Sequence, residues 1–216
     1  MRLLAEGLSA RRGEDLIFND ISFALSAGEA LVVTGPNGSG KSTLLRVLAG
    51  LLMAEKGSLK LENGPPEMRH PSELSHYLGH RNAMKRELTV AENLSFWKNF
   101  MGDSPGGSGR DLVEAVEAVG LPGIAHLPFG YLSAGQQRRM AMAKLLVAHR
   151  PIWILDEPTA ALDAGADRLF AGLVNAHLDQ GGIVVAATHQ PLGLERTGEL
   201  RMTGFAGVGG GMWHDA

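Results

Sequence analysis

With 216 residues, 44% of them hydrophobic and 20% charged, the chain can bury one sizeable core, and a single domain carrying a subdomain is expected. A net charge of −3 gives no electrostatic reason for a nucleic-acid partner, and the lack of cysteine excludes disulfides and thiolate metal sites. No stretch reaches the ~18 uninterrupted apolar residues of a membrane span. Met1-Arg2-Leu3-Leu4-Ala5-Glu6 lacks the apolar core of a signal peptide. The expectation is a protein soluble on its own and cytoplasmic.

Short apolar runs alternate with helical patterns, which favours an α/β fold with a largely parallel sheet. Strands are expected at 3–8, 21–25, Ala30–Thr34, 58–61, Ile152–Asp156 and Ile183–Ala187. Directly after the third stands Gly35-Pro36-Asn37-Gly38-Ser39-Gly40-Lys41-Ser42, with Thr43 opening a helical pattern over 43–51. This is G-x-x-x-x-G-K-S, the phosphate-binding loop of a nucleoside triphosphatase (a P-loop NTPase). Glycines let successive backbone N–H groups converge on one anion. Lys41 would reach the β- and γ-phosphates of ATP, and the Ser42 hydroxyl would sit on Mg²⁺.

A more helical middle follows over about 89–148. Thr89-Val90-Ala91-Glu92 is a capping box opening one helix. Residues 102–109, rich in glycine, read as a flexible surface loop, and 111–119 as a second amphipathic helix. Ser133-Ala134-Gly135-Gln136 is a further capping box; read alone it is an ordinary helix start, yet it also makes a second anion site. Ile152-Trp153-Ile154-Leu155-Asp156-Glu157 is an apolar strand closed by two acids. Ending at the nucleotide, it would place Asp156 on Mg²⁺ and Glu157 where it polarises the attacking water. The glycine-rich tail 205–216 is expected to be flexible.

Leu132-Ser133-Ala134-Gly135-Gln136 resembles the signature L-S-G-G-Q of the ATP-binding cassette (ABC) ATPases, with Ala134 in place of the first glycine. Ala160-Ala161-Leu162-Asp163 resembles that family's D-loop, and His189 in Thr188-His189 its switch histidine. The resemblance implies a mainly parallel sheet core with antiparallel N-terminal strands and a helical subdomain, and one domain over 1–204. It implies two copies packed head to tail, so that Ser133, Gly135, Gln136 and Asp163 serve the nucleotide between them. Two positions depart from the family pattern. His80 stands where a glutamine is usual; it either takes part in the γ-phosphate and metal site or is a solvated histidine. Arg12 stands near the place of an adenine-stacking aromatic; it either stacks on the base or is a solvated charge.

Tyr77-Leu78-Gly79-His80, Leu88-Thr89-Val90-Ala91-Glu92-Asn93-Leu94 and Ala187-Thr188-His189-Gln190-Pro191-Leu192 resemble the haem-exporter ATPases of cytochrome c maturation in Gram-negative bacteria. That resemblance implies polytopic membrane subunits as partners, a peripheral place on the cytoplasmic face of the inner membrane, and a haem-handling step driven by ATP. Other readings stay open: another small-molecule or drug exporter, whose substrate this domain encodes loosely, and a non-transport cassette acting on DNA or ribosomes. The second would bring paired cassettes or basic surfaces, which are absent here. A small-molecule kinase would share the phosphate loop but not the signature or the Asp156-Glu157 pair.

Overall fold

The structure, a computed structural model, describes residues 1–68, 70–160, 162–189, 192–194 and 197–204. The expectation for the tail at 205–216, and the parts of the resemblance carried by Ala161, Gln190 and Pro191, lie outside them. Strands β1 (Arg2–Arg12), β2 (Asp15–Ser26), β3 (Ala30–Thr34), β4 (Lys56–Glu62), β5 (Ser75–Leu78), β6 (Ile152–Asp156), β7 (Ile183–Ala187) and β8 (Thr197–Arg201) form two sheets. One is antiparallel, in the order β2-β1-β4. The other is parallel, in the order β5-β6-β7-β3-β8. Helices α1 (Lys41–Leu48), α2 (Val90–Met101), α3 (Leu112–Ala118), α4 (Ala134–Val147) and α5 (Ala164–Asp179) complete the fold.

The apolar runs of β6 and β7 have no polar alternation because the parallel sheet is covered on both faces. Ile152, Ile154, Ile183 and Val185 pack towards β1, β2 and α1. Trp153, Leu155, Val184 and Ala186 pack towards α2, α3, α4 and α5. The α2–α4 layer is the helical subdomain. Its capping boxes form as read: Thr89 and Ser133 each accept from the N–H three residues on, and Glu92 and Gln136 return the bond. Because the second sheet is parallel, β3, β5, β6 and β7 all end at one edge. That edge carries Gly35, Gly79, Glu157 and Thr188.

Three findings depart from the sequence reading. Helix α1 begins at Lys41, two residues before the expected start. The 102–109 segment is tied down: the Asp103 carboxylate accepts from the N–H groups of Gly109 (2.8 Å) and His149 (2.7 Å), and Ser104 is buried against the His149 carbonyl. Two of its glycines serve close approach: a Cβ on Gly109 would collide with the Val147 carbonyl, and one on Gly107 with the His149 ring. The strand β8 and the helix α5 were not expected. Leu200 is the only large apolar residue of β8, so no hydrophobic run marks that strand. The spacing of Ala166, Phe170, Val174 and Leu178 in α5 is a legible helical stripe.

Two buried imidazoles make the fold acid-sensitive. On β5, His76 is held near a pKa of about 3 by burial, with Lys144, Arg150 and His177 adding to the depression against its bond to the Ala148 carbonyl. His177 on α5 stacks on Trp153 at 3.9 Å, and burial lowers it to about 4. Both values lie below the unfolded one, so as pH falls below ~6.5 the unfolded chain takes up protons that the folded chain refuses. Stability present above that pH is then lost progressively towards about 4 and about 3. By pH 5 each imidazole should cost about 2 kcal/mol. The urea midpoint should therefore fall between pH 7.5 and pH 5, and fall less in His177→Phe, which keeps the ring stack; an equal fall would refute the assignment to His177.

Candidate functional site

The phosphate loop connects β3 to α1. Gly35 has φ 136° and lies so close to the Met202 carbonyl that a Cβ would collide with it. Gly40, at φ 97°, caps α1, and a Cβ there would meet Ile17 at 2.7 Å. These two glycines shape the loop and press it against β2 and the end of β8. The first-turn N–H groups of α1 have no intrahelical acceptor and carry the positive end of the helix dipole. They belong to residues that line an open cleft of about 920 Å³. Asn37, Gly38, Gly40, Lys41, Ser42 and Thr43 line it, whereas Gly35, Pro36 and Ser39 do not; Ser39 is buried and Pro36 is exposed to solvent.

Lys41 is buried, and its ammonium donates to the carbonyls of Gly35 (2.7 Å) and Pro36 (3.1 Å). An incoming phosphate can replace these neutral acceptors with a charged one. Across the cleft stands Asp156, only 1% exposed. Its Oδ1 accepts from the Ser42 hydroxyl at 2.9 Å, and its Oδ2 from the Tyr77 hydroxyl at 3.3 Å. Burial, and then the Asp156 charge, push the Tyr77 phenol up, which keeps it a donor. His80 reaches within 3.8 Å of Asp156 Oδ1 through its Nε2.

Glu157 follows with φ 48°, in the left-handed region that a non-glycine residue seldom enters. Its N–H donates to the Ala187 carbonyl at 2.9 Å, so the end of β6 is pinned to β7. His189, just past β7, stands with Nε2 3.5 Å from Glu157 Oε1 and 3.1 Å from Asn37 Oδ1. The histidine thus lies between the acid and the phosphate loop. Arg12, at the β1–β2 turn, lines the outer end of the same cleft.

The hydroxyl of Ser42 and the carboxylate of Asp156 are hard oxygen donors of the kind Mg²⁺ accepts alongside water and phosphate oxygens. Among the described residues no group of three or more His, Cys, Asp or Glu could hold a metal alone. Ser42 and Asp156 both face the cleft where a nucleotide's phosphates would lie.

The fold does not bring every sequence-derived candidate together. Ser133, Gly135 and Gln136 do not line the cleft, and neither does Asp163. Ser133 and Gln136 are spent locally on the α4 cap. Asp163 caps α5, and the N–H groups of Ala166 and Gly165 hold its carboxyl below the usual carboxylate range. Sequence reasoning passed over Tyr77 and Arg138. Arg138 is buried, but Gln136, Gln137 and Arg139 beside it in α4 are polar and none of them is buried, so no local pattern marked it out.

The ABC transporter family model matches residues 18–160. The chain belongs to the ABC transporter family. Within the family it is of the CcmA type. It is 80% identical over 205 residues to the cytochrome c biogenesis ATP-binding export protein CcmA of Rhizobium meliloti (strain 1021), covering 95% of this chain and 99% of the relative. To the protein of the same name from Brucella abortus (strain 2308) it is 54% identical, over 95% and 93% of the two chains. An ABC transporter ATP-binding protein from Pyrococcus furiosus shares the fold with a TM-score of 0.77 at 20% identity, over 93% of this chain and 98% of that one. So does an ATP-binding cassette solved as a dimer with ADP and Pi, with a TM-score of 0.73 at 23% identity, over 87% and 88%. As an ABC transporter ATP-binding subunit the chain is an ATP hydrolase coupled to transport, and among its described residues no helix is long and apolar enough to cross a membrane.

Gly35→Ala puts a methyl where the Met202 carbonyl stands, at a φ unfavourable to alanine. It should lower stability by about 2 kcal/mol or more and weaken binding of a fluorescent ATP analogue. Wild-type melting and binding would show that the loop tolerates the change.

Proposed function

We propose that this protein is the ATP-hydrolysing subunit of a complex that makes haem available for covalent attachment to c-type cytochromes outside the cytoplasm. The observation that carries this reading is the 80% identity to a cytochrome c biogenesis ATP-binding export protein, which runs over 95% of the chain. Polytopic membrane subunits are its partners, and it sits peripherally on the cytoplasmic face of the bacterial inner membrane. Nucleic acid is not a partner.

Within the cleft, the first-turn N–H groups of α1 and the Lys41 ammonium bind the phosphates of ATP. Ser42 and Asp156 would hold Mg²⁺, which when bound neutralises charge on the phosphate oxygens. The Glu157 carboxylate accepts a proton from the attacking water, and His189, placed between Glu157 and Asn37, orients that carboxylate towards the γ-phosphate. His80 lies beside Asp156 at the end of β5 and contributes to the γ-phosphate and metal end of the site. Arg12 offers a guanidinium face to the base.

Two copies act together. Ser133, Gly135, Gln136 and Asp163 stand away from their own cleft, which supports a head-to-tail pair in which each signature closes the partner's nucleotide. Lys41→Ala and Ser133→Arg chains should each be inactive alone. Mixed, they form some pairs with one intact composite site, and partial ATPase activity should return. Crosslinking verifies that mixed pairs exist, and mixed pairs without activity would refute independent sites.

Glu157→Gln keeps the shape of the side chain but removes the base. It should retain ATP, accumulate as an ATP-bound pair and turn over at least about 100-fold more slowly. Cells carrying only this variant should lack covalent haem in c-type cytochromes on haem-stained gels, while reduced-minus-oxidised spectra show normal b-type cytochromes. Normal c-type cytochromes would overturn the haem reading and leave a transport ATPase for another substrate.

A further inference from the structure

Among the described residues, the Arg138 side chain, 5% exposed on α4, makes no salt bridge with a carboxylate. Its guanidinium instead grips the carbonyls of three successive residues at the end of β6: Asp156 (3.2 Å) and Glu157 (2.7 Å) through one terminal nitrogen, and Pro158 (2.9 Å) through Nε. The other terminal nitrogen holds the Gly79 carbonyl (2.8 Å) and Asn82 Oδ1 (3.3 Å), on either side of His80. Burial lowers its pKa, opposed by the nearby charges of Asp156 and Glu157. A buried cation satisfied almost wholly by backbone carbonyls is a costly way to gain stability. A planar fork of five donors is, however, suited to fixing several carbonyls at once.

We infer that Arg138 is a positioning residue for ATP hydrolysis, setting the direction of the Glu157 carboxylate and linking it to the segment that carries His80. The inference rests on the reading of Glu157 as the base. Glu157 occupies a left-handed conformation that its surroundings must hold in place. Its N–H is fixed on β7 by Ala187 and its C=O by Arg138, so the bond to Arg138 governs where the side chain leaves the backbone. Lys144, further along α4, donates to the Tyr77 carbonyl at 3.1 Å, so the helix grips the end of β5 at a second point. Ser133 caps the same helix. A shift of the signature end of α4 therefore reaches Glu157 through a single side chain, and in a head-to-tail pair that end meets the partner's nucleotide.

Arg138→Lys keeps the charge and approximate length but loses the fork. In the full chain it should lower kcat about 10- to 100-fold while KM for ATP and the affinity for a fluorescent ATP analogue change less than about threefold. Arg138→Met should lower kcat further; if it does not fold, Arg138→Lys decides the matter. In a Glu157→Gln background the Arg138→Lys change should cost almost nothing more, because the group it aims has gone. Wild-type kcat in Arg138→Lys would overturn the inference. So would an equal fractional loss in both backgrounds, which marks a general structural role. Wild-type turnover in Glu157→Gln alone would overturn the reading of the base, and the inference with it.

Discussion

The bond between Ser42 and Asp156 joins two parts of the chain 114 residues apart, and the site is organised around it. Asp156 is a carboxylate at the end of a strand whose other residues are apolar and buried on both faces. Such a group is tolerated only where donors meet it. Ser42 meets it from the first turn of α1 and Tyr77 from β5, with His80 close by. The same arrangement brings the loop after β3 opposite the loop after β6. The two hard oxygen groups then face the cleft that the helix dipole makes attractive to phosphate.

The parallel sheet supplies this convergence. Four neighbouring strands run the same way and end at one edge, so each contributes one chemical element to a single cleft. Strand β3 leads to the phosphate loop, β6 to the two acids, β7 to His189 and β5 to His80. The antiparallel sheet closes the outer end of the cleft, where the β1–β2 turn presents Arg12. The signature at the start of α4 lies apart from this edge. The two glycine-bearing helix starts, at α1 and at α4, thus stand on separate surfaces, which is the observation behind the proposed head-to-tail pair.

Between the parallel sheet and the helices that cover one of its faces the fold keeps several polar groups out of water. Arg138, Lys144, His76 and His177 are all largely buried there. Lys144, lowered to about 8 by burial and by Arg138, sits 4.4 Å over the Trp97 ring of α2 while bonding to the Tyr77 carbonyl. Arg138 and Lys144 bond to backbone carbonyls at the ends of β6 and β5, His76 on β5 bonds to the Ala148 carbonyl at the end of α4, and His177 stacks on Trp153. The helical layer is therefore attached to the catalytic edge by directional bonds as well as by apolar packing, and directional bonds carry a movement from one layer to the other.

Wherever a local backbone requirement or an apolar run was decisive, the amino-acid sequence was sufficient. The phosphate loop depends on glycines at particular places, the capping boxes on side chains three residues apart, and β3, β6 and β7 on continuous apolar stretches; all are local, and all were legible. The edge strand β8 was not, because its pairing with β3 holds it in place rather than any burial pattern of its own. Nor was the packing of 102–109 against the end of α4, since Gly107 and Gly109 read as freedom when their role is close approach. Candidate site residues were legible as residue types, but which of them share a cleft depends on distances between segments more than a hundred residues apart. Tertiary structure alone placed Asp156 against Ser42, set His189 between Glu157 and Asn37, and put Ser133 elsewhere. It alone wrapped Arg138 in carbonyls, because a guanidinium's partners there are backbone atoms, which carry no trace of side-chain identity in the sequence.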